Sequence, residues 1–185
     1  MQGAHPALGK GVGCLAQGRL MGCEIERKFL VTGEGWRASI VRSRAMVQAY
    51  IARGEHASVR VRIMDDSEAR LTIKGRISGM TRAEFEYPVP VEDARALLAM
   101  RTGHLVAKRR HDVTEDGRLW EVDVFEGELA GLVMAECELA AEDEAVVRPP
   151  WLGREVTHDA RYYNASLAVH GLPEASPEPS APLHL

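Results

Sequence analysis

The feature that most constrains this chain is alternation between charged and apolar residues, repeated in eight separate stretches. In "CEIERKFLV" (23–31), Glu24, Glu26 and Lys28 alternate with Cys23, Ile25, Phe29 and Val31, and only Arg27 breaks the apolar set. The same period of two recurs in "MVQAYIAR" (46–53), "SVRVRIM" (58–64), "RLTIKG" (70–75), "TRAEFEYPV" (81–89), "LVAKRRHDV" (105–113), "LWEVDVF" (119–125) and "MAECELA" (134–140). Successive side chains of a strand point to opposite faces, so this period reads as β-strand. Short polar links such as "RGEHA", "DDSEA", "RISGM" and "EDGR" separate several of these strands. Links that short join antiparallel neighbours. Three helices are expected beside them, over 33–42, over 91–100 and over 158–171, the last with Asp159 as N-cap and Gly171 as its stop.

An ordinary half-buried sheet explains alternation in any one strand, because the polar face simply meets water. It explains the whole set poorly. Here the polar positions are occupied by pairs of one sign: Glu24/Glu26, Arg60/Arg62, Glu84/Glu86, Lys108/Arg110, Glu121/Asp123 and Glu136/Glu138. Like charges two apart on one strand repel, so opposite charge is expected between them. Eight antiparallel strands closing into a barrel supply the geometry, with the charged face turned inward and peripheral helices over the apolar outside. The expected fold is thus mainly β, of the α+β kind: an eight-stranded closed barrel enclosing a tunnel. Its lining comprises eight acids and, with Lys28, Lys74 and Arg82 added, seven bases.

Carboxylates without His or Cys partners suit a hard cation such as Mg²⁺ or Mn²⁺. Clustered Arg and Lys suit phosphate oxygens. Together they suggest a metal-bound polyphosphate. Two divalent ions would bring the lining to about +3, well matched to a triphosphate of about −4 to −5.

Composition narrows the alternatives. The chain has 185 residues and a net charge of −4, which suits one domain and argues against a general nucleic-acid binder. No apolar run is long enough for a membrane-spanning helix. Three cysteines without CxxC spacing read as reduced thiols, so the expected compartment is the cytoplasm. Residues 1–20 are Gly-rich and unpatterned, and 172–185 are rich in Pro and Ser; both are expected to be disordered, leaving 21–171 as the folded domain. Monomer and homodimer both stay open.

The segments "EIERKFL", "VRVR", "LTIKG", "AEFEYPVP", "KRR", "WEVDVF", "AECEL" and "GREVTHDARYYNASLA" resemble, in order, those of the CYTH superfamily, the triphosphate tunnel metalloenzymes. The resemblance runs over about 22–170. Glu24, Glu26 and Lys28 match its ExExK signature. It implies an eight-stranded tunnel and metal-dependent chemistry on triphosphates, most like the compact bacterial inorganic triphosphatases. Two departures stand out: Gln48-Ala49-Tyr50 where the family often has Gln-Gly-Tyr, and Tyr162-Tyr163-Asn164 near the end.

On this reading Glu24, Glu26, Glu136 and Glu138 are the metal ligands, with Asp123 at the same site or a second ion, and Glu121 beside it. Arg60, Arg62, Lys74, Lys108 and Arg110 grip the phosphates. Lys28 contacts phosphate or holds Glu26 ionised; Arg82 binds phosphate or braces Glu84 and Glu86. Lys28, Glu121 and Asp123 are the catalytic candidates, acting on water that attacks a terminal phosphorus. Arg109 and His111 fall on the opposite face. The alternatives are a nucleoside or thiamine triphosphatase, a class IV adenylyl cyclase, a non-catalytic polyphosphate-binding module, and a sheet whose charges are merely solvated.

Overall fold

The structure, a computed structural model, describes residues 15–16, 19–20, 25–78, 81–141 and 143–174, with side chains for 25–75, 83–141 and 143–174. Glu24 and most of the two expected disordered segments lie outside the described residues. Within the first of them, Leu15–Ala16 (β1) pairs antiparallel with Arg19–Leu20 (β2).

All eight alternating stretches form strands. They are Ile25–Val31 (β3), Ile40–Arg53 (β4), Ala57–Met64 (β5), Glu68–Ser78 (β6), Thr81–Val89 (β7), Val106–Glu115 (β8), Arg118–Glu126 (β9) and Val133–Leu139 (β10). A ninth, Leu152–Glu155 (β11), completes one antiparallel sheet in the order β11-β3-β10-β9-β8-β4-β5-β6-β7. The architecture is mainly β and antiparallel, as expected. Its closure differs. β10 and β11 take the two edges of β3, so β7 has no edge there to join, and among the described residues no ladder links the two ends of the sheet.

Register puts the charged residues on one face throughout. Lys28 lies opposite Glu136, Glu136 opposite Glu121, Asp123 opposite Arg110, Arg44 opposite Arg110, Gln48 opposite Arg62, Arg60 opposite Thr72, and Thr72 opposite Glu86. This face is the inside. Asp123 is 0% exposed and Lys108 2%, which a flat solvated face does not allow. Register shifts in the β4–β5, β4–β8 and β6–β7 ladders bend the strands and sharpen their twist, so the sheet curls over its own charges.

The apolar face is correspondingly outside and covered in two patches. Val91–Ala99 (α1) lays Ala94, Leu97 and Leu98 over Val61, Ile63 and Leu71. Elsewhere Trp36 and Trp151 cover Phe29, Val113, Trp120 and Val122, with Trp120 edge-on to both Phe29 and Trp151. Trp36 sits in a single 3₁₀ turn, Gly35–Ser39, in place of the helix expected over 33–42; β4 begins at Ile40 and takes the rest. The Ile-Val pair at 40–41 favours the strand.

The helix expected over 158–171 is divided. Ala160–Tyr162 is a 3₁₀ turn, Tyr163 is extended, and Asn164–His170 (α2) follows. Asp159 caps the turn by accepting from the Arg161 amide, and Gly171 ends α2 with a positive φ of 72°. The division lets Tyr162, Leu167 and Ala168 pack together against Tyr50, Val106, Phe125 and Met134 at one end of the curled inner face. The chain's own C-terminal helix therefore plugs that end.

β11 is tied to β3 by Arg27, whose Nε donates to Glu155 Oε1 at 2.9 Å; Thr157 Oγ1 donates to the same oxygen at 2.7 Å. The bond from Arg27, opposed by burial and helped by Thr157, lowers the Glu155 pKa from 4.5 to about 2. A depressed carboxylate stabilises the fold above its unfolded pKa and loses that contribution as pH falls through the folded one. Both partners are partly exposed, so the pair contributes about 1 kcal/mol. Glu155→Gln should therefore lower the urea midpoint from pH 5 to 8, and the gap should close as pH falls towards 2. A gap that persists at pH 2 would show that the carboxylate charge is not its source.

Candidate active site

The inner face divides into two walls. On β3, β8, β9 and β10 the charges neutralise one another. Lys28 Nζ lies 2.7 Å from Glu26 Oε1 and 2.7 Å from Glu136 Oε1. Arg110 grips Asp123 with two bonds, Nε to Oδ1 and Nη2 to Oδ2, each 2.7 Å, and reaches Glu136 Oε2 at 3.1 Å. It also binds Glu121, and Lys108 closes the group on Asp123. This arrangement answers part of the like-sign pattern: Glu121/Asp123 and Glu84/Glu86 each face cations on the next strand, Glu136 meets Lys28 and Arg110, and Glu26, opposite Glu138, is neutralised by Lys28 on its own strand.

The network fixes the protonation states. Burial opposes ionisation of Asp123, but Lys108 and Arg110 outweigh it and hold its pKa below the ordinary value. Glu136 is lowered in the same way, against burial, by Lys28 and Arg110. Burial likewise works against the Lys28 charge, and Glu136 and Glu26 overcome it, raising that pKa. Lys108 differs: complete burial, reinforced by Arg110, brings it down to about 8.

The opposite wall, β4–β7, is less satisfied. Arg62 Nη2 binds Glu86 Oε1 at 3.1 Å and Lys74 Nζ binds Glu84 Oε2 at 2.7 Å. Arg60 Nη2 donates to Thr72 Oγ1 at 3.3 Å. Yet the Nε atoms of Arg44, Arg60 and Arg62 and the Nε2 of Gln48 are buried with no acceptor among the described residues. Burial and the neighbouring Arg60 charge lower the Arg62 pKa.

The structure thus brings together on the inner face Glu26, Lys28, Arg60, Arg62, Lys74, Glu84, Glu86, Lys108, Arg110, Glu121, Asp123, Glu136 and Glu138. Glu24 lies outside the described residues; Arg82 is placed in β7, opposite Ile77, without a described side chain. His111 falls on the outer face as expected, buried against Trp36, with Nδ1 2.7 Å from Ser43 Oγ. Sequence reasoning did not assign Arg44, Gln48, Arg70 or Asp112 to the site. Arg44 Nη2 binds Asp112 Oδ1 at 3.0 Å, and Arg70 Nη1 binds Glu86 Oε2 at 3.3 Å. Extending the alternation of β4 back to Ile40 places Arg42 and Arg44 in phase with Gln48; starting that strand at Met46 hid them.

At the end away from α2 a cavity of about 510 Å³ opens beside Glu26, Glu121, Glu136, Glu138 and Arg118. These donors are all carboxylate or cationic, and the oxygen set suits a hard divalent cation. Among the described residues no three His, Cys, Asp or Glu converge as a ready ligand cluster, because Lys28 stands between Glu26 and Glu136 and Arg110 holds Asp123.

A curled antiparallel sheet with its ion pairs inside and its apolar side chains outside defines a polar-lined tunnel protein. The chain belongs to the CYTH family: the CYTH domain matches residues 22–171. It is similar to an inorganic triphosphatase of Acetivibrio thermocellus, 42% identical over 148 residues, covering 80% of this chain and 94% of that protein. It is also similar to an inorganic triphosphatase of Nitrosomonas europaea, 36% identical over 154 residues, covering 79% and 97%. The crystal structure of the inorganic triphosphatase NE1496 aligns with a TM-score of 0.62 at 34% identity, over 79% of this chain and 94% of that one.

Removing one partner of a buried, hydrogen-bonded ion group leaves its opposite charge uncompensated, at a cost of about 3–5 kcal/mol. Asp123→Ala strands Lys108 and leaves Arg110 with Glu121 and Glu136 alone. We expect urea denaturation without added metal to show a loss in that range. A loss below about 1 kcal/mol would mean that the two cations find other partners or water.

Proposed function

We propose that this chain hydrolyses a triphosphate, with inorganic tripolyphosphate as the substrate and Mg²⁺ or Mn²⁺ as the required metal. The observation that carries this reading is the row of buried guanidinium Nε donors on β4 and β5 that have no acceptor among the described residues. Buried donors without partners are costly, and phosphoryl oxygens are strong acceptors with no proton to offer at these positions. The two curated relatives, both inorganic triphosphatases, support the same class of reaction.

The walls suggest the division of labour. Arg60, Arg62 and Lys74 hold the phosphate chain, and Arg82 is assigned to it from the sequence alone. Lys108, Arg110 and Lys28 face it from β8 and β3 and offset charge on the transferring group and the diphosphate leaving group. Glu26, Glu136 and Glu138 would hold the metal, two ions in the active complex, with Glu24 assigned to the same role by the ExExK resemblance alone; bound there, it would add positive charge and acidify a water. Accommodating it requires Lys28 to give up its bridge between Glu26 and Glu136. Asp123, with both oxygens engaged, sets the orientation of Arg110 and Lys108. Glu121, only partly buried at the mouth, is the carboxylate best placed to accept a proton from the attacking water.

Substrate size favours an inorganic chain over an organic triphosphate. A base or thiamine ring needs an apolar wall, and the apolar end of the tunnel is already filled: Val106, Met134, Leu129 and Leu167 are each 0% exposed. The open end is lined by seven acids and Arg118, with Leu119, Cys137 and Val147 as its apolar part.

The test is phosphate release from tripolyphosphate, ATP and thiamine triphosphate, with Mg²⁺, Mn²⁺ or no added metal, and with cyclic AMP assayed in the ATP samples. Metal-dependent release, greatest from tripolyphosphate, is expected. Greater turnover of an organic triphosphate would reassign the substrate, cyclic AMP would make the chain a cyclase, and binding without turnover would make it a polyphosphate-binding module. Glu26→Ala should abolish metal-dependent turnover with the fold intact, and Arg62→Ala should lower kcat/KM by about 10²–10³.

A further inference from the structure

Gln48 is the one uncharged polar side chain among the buried donors of the inner face that have no acceptor among the described residues. It lies in the middle of β4, directly opposite Arg62 on β5 and Val106 on β8, and it is 1% exposed. Its Nε2 is buried and finds no acceptor among the described residues. A side chain that only filled this space would be better as Met or Leu, since a buried amide hydrogen without an acceptor destabilises the fold. Both lateral neighbours are fixed. Arg62 is held by Glu86, and Val106 is packed under Leu167 and Tyr162. The amide is therefore kept within the same row as the unpaired Nε atoms of Arg60 and Arg62.

We infer that Gln48 is a substrate-binding residue whose amide Nε2 donates a hydrogen bond to a non-bridging phosphoryl oxygen held by Arg60 and Arg62. This rests on the triphosphatase reading above and adds to it a neutral donor. The physical reason for neutrality is local. Arg60, Arg62 and Arg44 already place three like charges on two adjacent strands, and the Arg62 pKa is depressed by burial and by Arg60. A fourth cation there would repel them when the site is empty. An amide adds direction without adding charge. Gln48 has no proton to exchange near neutral pH, so it contributes to holding the phosphate and not to proton transfer.

The inference is tested with Gln48→Met, Gln48→Leu and Gln48→Glu in the full chain, using tripolyphosphate with the metal that supports wild-type turnover. Gln48→Met keeps the length and volume and removes the donor. We expect its KM to rise about tenfold, with kcat within about threefold of wild type and the pH profile unchanged. Gln48→Leu should behave likewise. Gln48→Glu, which keeps an oxygen but brings a negative charge against the phosphate, should raise KM by about a hundredfold or more. The protective shift in Tm caused by tripolyphosphate should shrink in the same order, while Tm without ligand stays level or rises for Met and Leu.

If Gln48→Met and Gln48→Leu fold and keep the wild-type KM and the full Tm shift, Gln48 is a core residue and the inference is overturned. If one variant fails to fold, the other decides. If wild-type protein neither hydrolyses nor binds tripolyphosphate, the functional reading fails as a whole, a result distinct from the failure of Gln48 alone.

Discussion

The bidentate bond from Arg110 to Asp123 is the interaction on which the rest of the interior depends. One guanidinium touches carboxylates on two further strands and joins β8, β9 and β10 through side chains as well as through the ladder. Burying a single charge in a protein interior is prohibitive; burying a closed set of donors and acceptors is not. The sheet can turn its charged face inward only because such a set exists. Remove its centre and the inside of the tunnel becomes a group of stranded charges.

This inverts the usual division of a β domain, in which the concave side supplies the hydrophobic core. Here the apolar face looks outward and must be covered from outside, and short, separate devices do it. One helix covers β5 and β6, a 3₁₀ turn brings Trp36, and the 146–151 loop brings Trp151. None of these has to be long, because each covers only part of a curved wall. The cost of the design falls on β7, whose outer-face residues Phe85 and Tyr87 remain 44% and 45% exposed at the sheet's free end.

The strands were legible because period-two alternation is a local signal, and their charged face could be inferred from like-sign pairs that a solvated sheet has no reason to repeat. The inward turn of Lys108, Arg110, Asp123 and Glu136 follows from that one argument. What stayed hidden depends on long-range packing. β11 is four residues with no alternation, and only its pairing with β3 defines it. The break at Tyr163 reflects the need to fit Tyr162 and Leu167 into the same end of the tunnel, which no helical periodicity encodes. Arg44 and Gln48 were missed for different reasons: the Arg42/Arg44 pair lies ahead of Met46, where the strand was taken to begin, and Gln48 carries no charge for a pairing signal to find.

The packing of α2 against Tyr50, Val106, Phe125 and Met134 closes one end of the curled sheet, so the interior is not open from end to end. What enters beside Glu26 and Glu138 cannot pass through the α2 end, so its ways out are the charged mouth it came by or the unladdered side between β7 and the far end of the sheet.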